Sequence, residues 1–326
     1  MKFRFAFVAA VVVATAPALA PAQDRYPSRP VTIVNPNAPG GQVDLTMRPL
    51  VAPLERALKQ PIVLANRPGA AGAIGIAQVA HAAPDGYTLL ATSPAIDTIP
   101  SVDKLLGREP AYTADQLIGI AMFNQDPTVL VVHPSLPVTT AREFVDYARA
   151  HKGEIVVSSS GAYGATHLPM AMLELAENLR FRNLTTPGGG PALIALLGGN
   201  AQAYAAPPGV AAPHIQAGKI KVLAHWGTGR MAQFPDVPSF REVGVNVEYW
   251  FWIGMFAPAK TPPAILQRIH AALREAIKDP EFTTAMEKIN LPVVYRDGDE
   301  FNAWWREDLK RLTATIQGIG KIEDGK

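Results

Sequence analysis

Proline and glycine recur along the whole chain and divide it into short segments. The 326 residues include 30 prolines and 26 glycines, which are scattered rather than gathered in one tract. Between these turns, short runs rich in β-branched residues alternate with amphipathic or alanine-rich stretches. This alternation is typical of an α/β fold with mostly parallel strands. The length fits two lobes or one large domain, and the absence of a flexible linker favours lobes joined by crossing strands.

The periodicity of apolar residues places the main elements. Strands are predicted at 31–34, 62–65, 88–91, 128–132, 155–157, 201–205 and 252–256. Helices are predicted at 43–58, 74–82, 168–179 and 300–316, with two more beginning after the cap residues Thr139 or Thr140 and Thr261. Because Pro49 and Pro53 interrupt the first helical run, we expect that helix to be kinked or short.

Composition excludes several classes of protein. Hydrophobic residues make up 48 % and charged residues 18 %, which is the composition of a globular rather than a disordered chain. Cysteine is absent, which removes disulfides, thiol nucleophiles and thiolate metal sites. The formal charge is +2 and no dense basic run exists, so nucleic acid is not an expected partner. The seven histidines lack metal-ligand spacing, and we expect neither a metal nor a cofactor.

The first residues resemble an export signal. Lys2 and Arg4 precede an apolar stretch of roughly a dozen residues, too short to span a bilayer, and alanines follow at positions suited to cleavage. We predict a signal peptide at 1–22, with the mature chain beginning at Gln23. The protein is therefore expected in the periplasm, without a lipid anchor.

Four turns carry the features of an anion site. They are 36–41 (PNAPGG), 92–94 (TSP), 158–164 (SSSGAYG) and 187–190 (PGGG). The first and third lie between a predicted strand and a predicted helix, the second follows the third strand, and the fourth precedes a short helix. At a helix start, free backbone N–H groups and the positive end of the helix dipole can receive an anion. Ligands of open α/β sheets lie at such turns, so a carboxylate or a phosphate is the expected ligand.

Enzymatic motifs match less well. Gly69, Gly72 and Gly75 have the wrong spacing for a dinucleotide-binding fingerprint, and no lysine follows a glycine run as in a P-loop. The sequence also lacks the G-x-S-x-G motif of a serine hydrolase. An exported hydrolase that uses Ser160 and His167 is kept as an alternative.

A set of short motifs resembles the Bug-type solute receptors, the periplasmic binding proteins of tripartite tricarboxylate transporters. In family order, the motifs are YPSRP at 26–30, PGGQVD at 39–44, NRPGAAG at 66–72, APDGYT at 83–88, SSG at 159–161, HL at 167–168, LLGG at 196–199, PHIQAGK at 213–219, PDVP at 235–238 and FAPAKTP at 256–262. Each motif is weak alone, but together they cover almost all of the mature chain.

The resemblance implies a two-lobed Venus flytrap fold. Residues 23–124 and 228–326 would form one lobe and 125–227 the other, with crossings near 124–126 and 226–229. In the family, backbone N–H groups and ordered water hold a ligand carboxylate at two facing loops, here 38–41 and 160–166. With the neighbouring turns, the implied ligand-binding set is Ala38, Pro39, Gly40, Gly41, Asp44, Thr92, Ser93, Ser160, Gly161, Tyr163, Gly164, Thr166, His167, Ala206 and Pro207.

One departure from the family pattern concerns the ligand. Many relatives carry a carboxylate and a polar residue where this chain has Ala206 and Pro207. Without that acid, a ligand ammonium has no obvious partner, and a buried unpaired cation is costly. We therefore expect an amine-free carboxylate with an apolar or aromatic body, and Tyr163, Tyr204 or Trp226 as a wall beside it.

The sequence thus predicts a monomeric receptor without catalytic activity. It would deliver a small carboxylate to the membrane permease subunits of a tripartite tricarboxylate transporter. A ligand-sensing protein without a permease is the other alternative that stays open.

Overall fold

The computed structural model describes residues 26–321, which form two mixed sheets surrounded by helices. The strands are β1 Val31–Asn35, β2 Ile62–Asn66, β3 Thr88–Thr92, β4 Leu117–Pro127, β5 Val129–Val132, β6 Val156–Ser159, β7 Arg182–Thr185, β8 Ala203–Ala206, β9 Lys221–His225, β10 Trp250–Pro258 and β11 Arg296–Asp297. The α-helices are α1 Gln42–Leu58, α2 Ala73–Ala80, α3 Ala95–Leu105, α4 Ala141–Ala150, α5 Leu168–Glu177, α6 Gly189–Leu197, α7 Pro208–Gln216, α8 Pro263–Ala276, α9 Pro280–Lys288 and α10 Gly298–Ile319.

The signal peptide predicted at 1–22 lies outside the described residues. Within 26–321, no helix has both the length and the apolar character that crossing a membrane requires.

The two sheets are mixed rather than mostly parallel. The larger has the strand order β11-β4-β10-β3-β1-β2, and the smaller has the order β7-β6-β8-β5-β9. Strand β1 is parallel to β2 and β3, and β6 is parallel to β7 and β8, as the sequence predicts. Strand β10 is antiparallel to both β3 and β4, and β5 is antiparallel to β8 and β9. The prediction of mostly parallel strands was wrong because the strands that lead into and out of each lobe run against their neighbours.

The chain passes between the sheets twice. Strand β4 of the larger sheet leads through Thr128 directly into β5 of the smaller sheet, and the return runs from β9 through 226–249 to β10. A backbone hydrogen bond joins the two passages, from the N–H of Trp226 to the carbonyl of Thr128 at 3.0 Å. A second one closes the return segment on itself, from the N–H of Tyr249 to the carbonyl of Trp226 at 2.9 Å. This is the two-lobed α/β architecture.

Helix α1 runs through both of its prolines and ends at Leu58, as the apolar pattern indicates. Of the two expected alternatives, a kinked or a shorter helix, the shorter one was therefore wrong. Each proline removes one backbone hydrogen bond, but Met47, Leu50 and Leu54 on the same helix are at most 1 % exposed. Burial of this apolar face maintains the helix despite the missing bonds.

The predicted caps had mixed outcomes. The hydroxyl of Thr140 accepts the N–H of Glu143 at 3.2 Å and caps α4, one of the two alternatives the sequence offers. Thr261 does not cap α8, which begins at Pro263 after Pro262. The Thr261 hydroxyl instead donates to the carbonyl of Pro258 at 2.7 Å, within the turn that follows β10.

Aromatic residues form much of the core of the larger lobe. Trp252 of β10 and Trp305 of α10 are fully buried. Each indole N–H donates to a buried carboxylate, Trp252 to Asp308 at 2.8 Å and Trp305 to Asp97 at 2.7 Å. These bonds satisfy donors that would otherwise be orphaned in the core.

Candidate functional site

A narrow cleft lies where the two lobes face each other at the carboxyl ends of strands. The larger sheet and its loops contribute Asn35, Asn37, Ala38, Gly41, Gln42, Val43, Asp44, Ser93 and Phe251. The smaller sheet and its loops contribute Ser160, Thr166, Gly189 and Pro207. All four glycine-rich or serine-rich turns singled out in the sequence reach this cleft or its rim.

The lobes are in contact around the cleft. The N–H of Ala38 donates to the carbonyl of Pro187 at 3.0 Å. A methyl group placed on Gly41 would lie 3.5 Å from the backbone nitrogens of Gly189 and Gly190. The cavity between them has a free volume of about 20 Å³, room for about one water molecule. The structure is therefore closed, and a ligand requires the lobes to separate.

Helix N-termini from both lobes converge on the cleft. Gly41 caps α1, Ser93 and Pro94 precede α3, Gly189 begins α6 and Pro207 caps α7. The first turn of a helix has N–H groups without an intrahelical acceptor, and the helix dipole places partial positive charge there. None of the residues that line the cleft, all within 26–321, has a cationic side chain. The positive potential of the site thus comes from backbone groups.

Asp44 is the acidic side chain that lines the cleft, and its oxygens are occupied. One oxygen accepts the N–H of Gly40 at 3.1 Å, and the other accepts the Arg48 guanidinium at 2.6 Å. Its side chain is 6 % exposed. The Asp44 carboxylate therefore shapes the loop before α1 and is neutralised by Arg48, so it can stand beside a bound anion.

The facing loop before α5 is ordered by its own side chains. The N–H of Ser160 donates to the hydroxyl of Thr166 at 2.8 Å, and that hydroxyl donates to the hydroxyl of Ser160 at 3.0 Å. The ring nitrogen Nδ1 of His167 accepts the N–H of Tyr163 at 3.0 Å. His167 thus holds Tyr163 at a φ of 55°, a left-handed conformation. These contacts give Ser160 and His167 structural partners within the loop.

Two amide side chains in the cleft were not foreseen as site residues. Asn35 accepts the N–H of Asn37 on Oδ1 at 3.1 Å, and its Nδ2 has no hydrogen-bond partner among the described residues. Gln42 is 2 % exposed, and neither atom of its amide has a partner in that part of the chain. Asn35 ends β1 and Gln42 begins α1. Ligands of α/β proteins lie between a strand end and a helix start, and this rule could have identified both residues from the sequence.

The implied site residues divide into two groups. Seven line the cleft, namely Ala38, Gly41, Asp44, Ser93, Ser160, Thr166 and Pro207. The others lie in the same turns but outside the lining, namely Pro39, Gly40, Thr92, Gly161, Tyr163, Gly164, His167 and Ala206. Among these, Gly161 lies in a neighbouring groove beside Ala71, and Gly40 orients its N–H towards Asp44.

The aromatic residue at the cleft is Phe251 rather than the three considered from the sequence. Tyr163 donates its hydroxyl to the carbonyl of Gly320 at 3.0 Å, and Tyr204 and Trp226 are fully buried in the lobes. Phe251 reaches the cleft because it alternates along β10 with Trp252, which points to the opposite face.

Comparison with known proteins identifies the family of this chain and several relatives. The family described as the tripartite tricarboxylate transporter family receptor matches residues 46–321. A protein of Cupriavidus necator described as "UPF0065 protein in gbd 5'region" is 30 % identical over 97 % of this chain and 94 % of its own length. The periplasmic binding protein BugD superposes with a TM-score of 0.83 at 28 % identity, over 90 % of this chain and 99 % of that chain.

Two further solved structures contain ligands. MatC from Rhodopseudomonas palustris, with bound malate, has a TM-score of 0.82 at 28 % identity, over 89 % of this chain and 99 % of that chain. An R. palustris protein with adipate, Rpa4515, has a TM-score of 0.82 at 25 % identity, over 90 % of this chain and 98 % of that chain. These neighbours are solute-binding proteins and not enzymes, so the hydrolase alternative fails. The chain belongs to the receptor family of the tripartite tricarboxylate transporters, the Bug-type periplasmic solute-binding proteins.

Proposed function

We propose that this receptor captures a small organic carboxylate between its lobes and delivers it to the permease subunits of a tripartite tricarboxylate transporter. The observation that carries the proposal is the convergence of helix N-termini on a cleft without cationic side chains. Backbone N–H groups hold an anion by directed hydrogen bonds. Release is easier from such a site than from a buried arginine pair, which suits a transport receptor.

An amine-free carboxylate, aliphatic or aromatic, fits this cleft best. A ligand ammonium would need a carboxylate, and Asp44 is already engaged by Gly40 and Arg48. At the end of β8, Ala206 and Pro207 supply no acid either. The similar proteins with malate and adipate support a carboxylate ligand without an amine.

The ligand would be held by both lobes. We assign the contacts to the backbone of 38–41 and the start of α1 on one side, and to Ser160, Thr166 and the start of α6 on the other. The lobe boundaries that we propose remain 23–124 with 228–326, and 125–227. The ligand would bind the closed form more tightly than the open form, and this difference in affinity would shift the equilibrium towards the closed form.

A thermal-shift panel followed by calorimetric titration tests the ligand class. Succinate, adipate, malate and benzoate are compared with aspartate, glutamate and the methyl esters of the same acids. We expect free, amine-free carboxylates to raise the Tm with the logarithm of their concentration, because they bind only the folded protein. Tighter binding of an amino acid than of its deaminated counterpart would contradict the ligand class, and a response to the esters would contradict the anion site.

Export and partners are tested separately. N-terminal sequencing of the protein from a periplasmic extract is expected to begin at Gln23. Light scattering is expected to give the mass of a monomer. Capture of detergent-solubilised membranes with and without ligand should recover the permease subunits; recovery of a different membrane protein would favour the sensory alternative.

A further inference from the structure

Gln42 is an unusual residue for the wall of an anion site. Its amide offers one hydrogen-bond donor group and one acceptor, and both are buried without a partner among residues 26–321. An orphaned buried amide destabilises the folded protein, so such a group in a cleft calls for a partner that arrives from outside. Either orientation of the Gln42 amide leaves one donor group and one acceptor unmet.

The Gln42 side chain lies at the junction of the lobes. Gln42 is the first residue of α1, adjacent to the N–H groups assigned to the ligand carboxylate. Across the cleft lies Gly209 in α7, where a methyl group would come within 3.4 Å of the Gln42 Oε1 atom. A molecule between the lobes would therefore meet the amide next to its carboxylate.

Asn35, the other residue in the cleft with an unpartnered amide group, lacks a partner only for its donor. The N–H of Asn37 donates to Oδ1 of Asn35, which fixes the Asn35 side chain with Nδ2 directed elsewhere and unpartnered. Asn35 therefore supplies only a donor, which a carboxylate oxygen satisfies. The acceptor of Gln42 is different, because an ionised carboxylate has no hydrogen to donate to it.

We propose that Gln42 makes this receptor selective for a carboxylate that also carries a hydroxyl group, that is, a hydroxy acid. The ligand hydroxyl donates its hydrogen to the Gln42 amide oxygen, the acceptor that a plain carboxylate leaves unmet, and the amide nitrogen donates to a ligand oxygen. The ammonium of an amino acid would also supply hydrogens, but no free carboxylate in the cleft balances its charge. This inference rests on the proposed function.

Matched pairs of acids test the proposal by calorimetric titration at pH 8, where the carboxyl groups are ionised. The pairs are malate with succinate and 2-hydroxyadipate with adipate. We expect the wild-type protein to bind the hydroxy acid of at least one pair about tenfold more tightly than its partner. Equal or weaker binding of the hydroxy acid in both pairs overturns the proposal without any variant.

Two variants assign the selectivity to the side chain. Gln42→Met retains the length but removes both hydrogen-bonding atoms. It should reduce the preference to about twofold or less, because it weakens the binding of the hydroxy acid more than that of the plain acid. Gln216→Met, on the exposed end of α7, is the matched control and should keep the wild-type preference.

If Gln42→Met retains the wild-type preference for the hydroxy acid, Gln42 does not cause that preference. The receptor function is not affected by this outcome. Absence of binding to all four acids and to the wider panel overturns the carboxylate receptor itself.

Discussion

The N–H of Ala38 donates to the carbonyl oxygen of Pro187 at 3.0 Å and joins the loop before α1 to the loop before α6. This backbone hydrogen bond connects the two lobes at the rim of the ligand cleft. Because the cavity behind it has a free volume of only about 20 Å³, a ligand can enter only when this hydrogen bond is broken. The residues that hold the lobes together should therefore control affinity as strongly as those that touch the ligand.

Gly161→Ala should weaken ligand binding by at least tenfold. A methyl group at Gly161 would lie 2.6 Å from the Ala71 Cβ atom and 2.9 Å from its Cα atom, across the lobe junction, and the φ of 123° also disfavours a side chain. The lobes could not reach the closed form without a shift. Calorimetry measures the affinity, and small-angle scattering with ligand should show a larger radius of gyration than wild type.

The control for this variant is Gly229→Ala. A methyl group there has no heavy atom within 4 Å, and the glycine has no left-handed φ. Its affinity should match that of the wild type. If Gly161→Ala also binds with wild-type affinity, the contact with Ala71 does not belong to the binding-competent form.

Asp44→Ala should lower affinity, and Asp44→Asn should restore most of it. The carboxylate accepts the Gly40 N–H at 3.1 Å and so fixes the loop whose backbone faces the ligand. Alanine removes that acceptor, which costs about 1 kcal/mol or roughly fivefold in binding. Asparagine retains an oxygen for Gly40 but no charge for Arg48. Equal losses of affinity in the alanine and asparagine variants would show that the ion pair with Arg48, which both variants lack, matters more than the bond to Gly40.

Ionisation of Asp126 should make the protein less stable as the pH rises. Burial raises the pKa of the Asp126 carboxyl from 3.8 to about 6, and Gln233 donates to one of its oxygens at 2.9 Å. Between pH 4 and 6 the folded state binds more protons at this group than the unfolded state, so the free energy of unfolding falls with rising pH in that window. The total effect is about 2–3 kcal/mol.

Urea unfolding of wild type and Asp126→Asn at pH 4 and pH 7 isolates this contribution. The variant keeps an oxygen for Gln233 and has no charge. Its free energy of unfolding, relative to that of the wild type, should therefore rise by about 2–3 kcal/mol between pH 4 and pH 7. The other titrating groups are present in both proteins, so their contributions cancel in the difference. Parallel pH profiles would assign the wild-type dependence to other groups.

Asp308→Ala should lower the free energy of unfolding by about 2–4 kcal/mol. It leaves the buried Trp252 indole N–H without its acceptor and removes the partner of Arg311, which donates to Asp308 at 2.6 Å. Glu307→Ala, one residue away, breaks an exposed pair with Lys310 and should cost at most about 0.5 kcal/mol. Equal losses in the two variants, measured by chemical unfolding, would contradict the role of the buried pair.

Much of the local structure follows directly from the sequence. The first three strands, helices α1, α4 and α10, and the turns before α1, α5 and α6 lie where the periodicity and the turn residues predict them. Those signals are local, because apolar spacing and the backbone preferences of proline and glycine act over a few residues. Helix α3 and the long strand β4 were not predicted. Pro100 interrupts the helical pattern of α3, and β4 is recognised only from its pairing with β10, which is distant along the chain.

The sequence by itself determined many of the elements, the family resemblance and the turns that meet at the cleft. Only the tertiary structure decided that the sheets are mixed, that Phe251 rather than Tyr163, Tyr204 or Trp226 faces the cleft, and that Asn35 and Gln42 keep unmet amide groups there. Whether an amide is satisfied depends on groups distant along the chain, such as Gly209 opposite Gln42. No local pattern records such a contact, because it exists only once the two lobes have folded and closed.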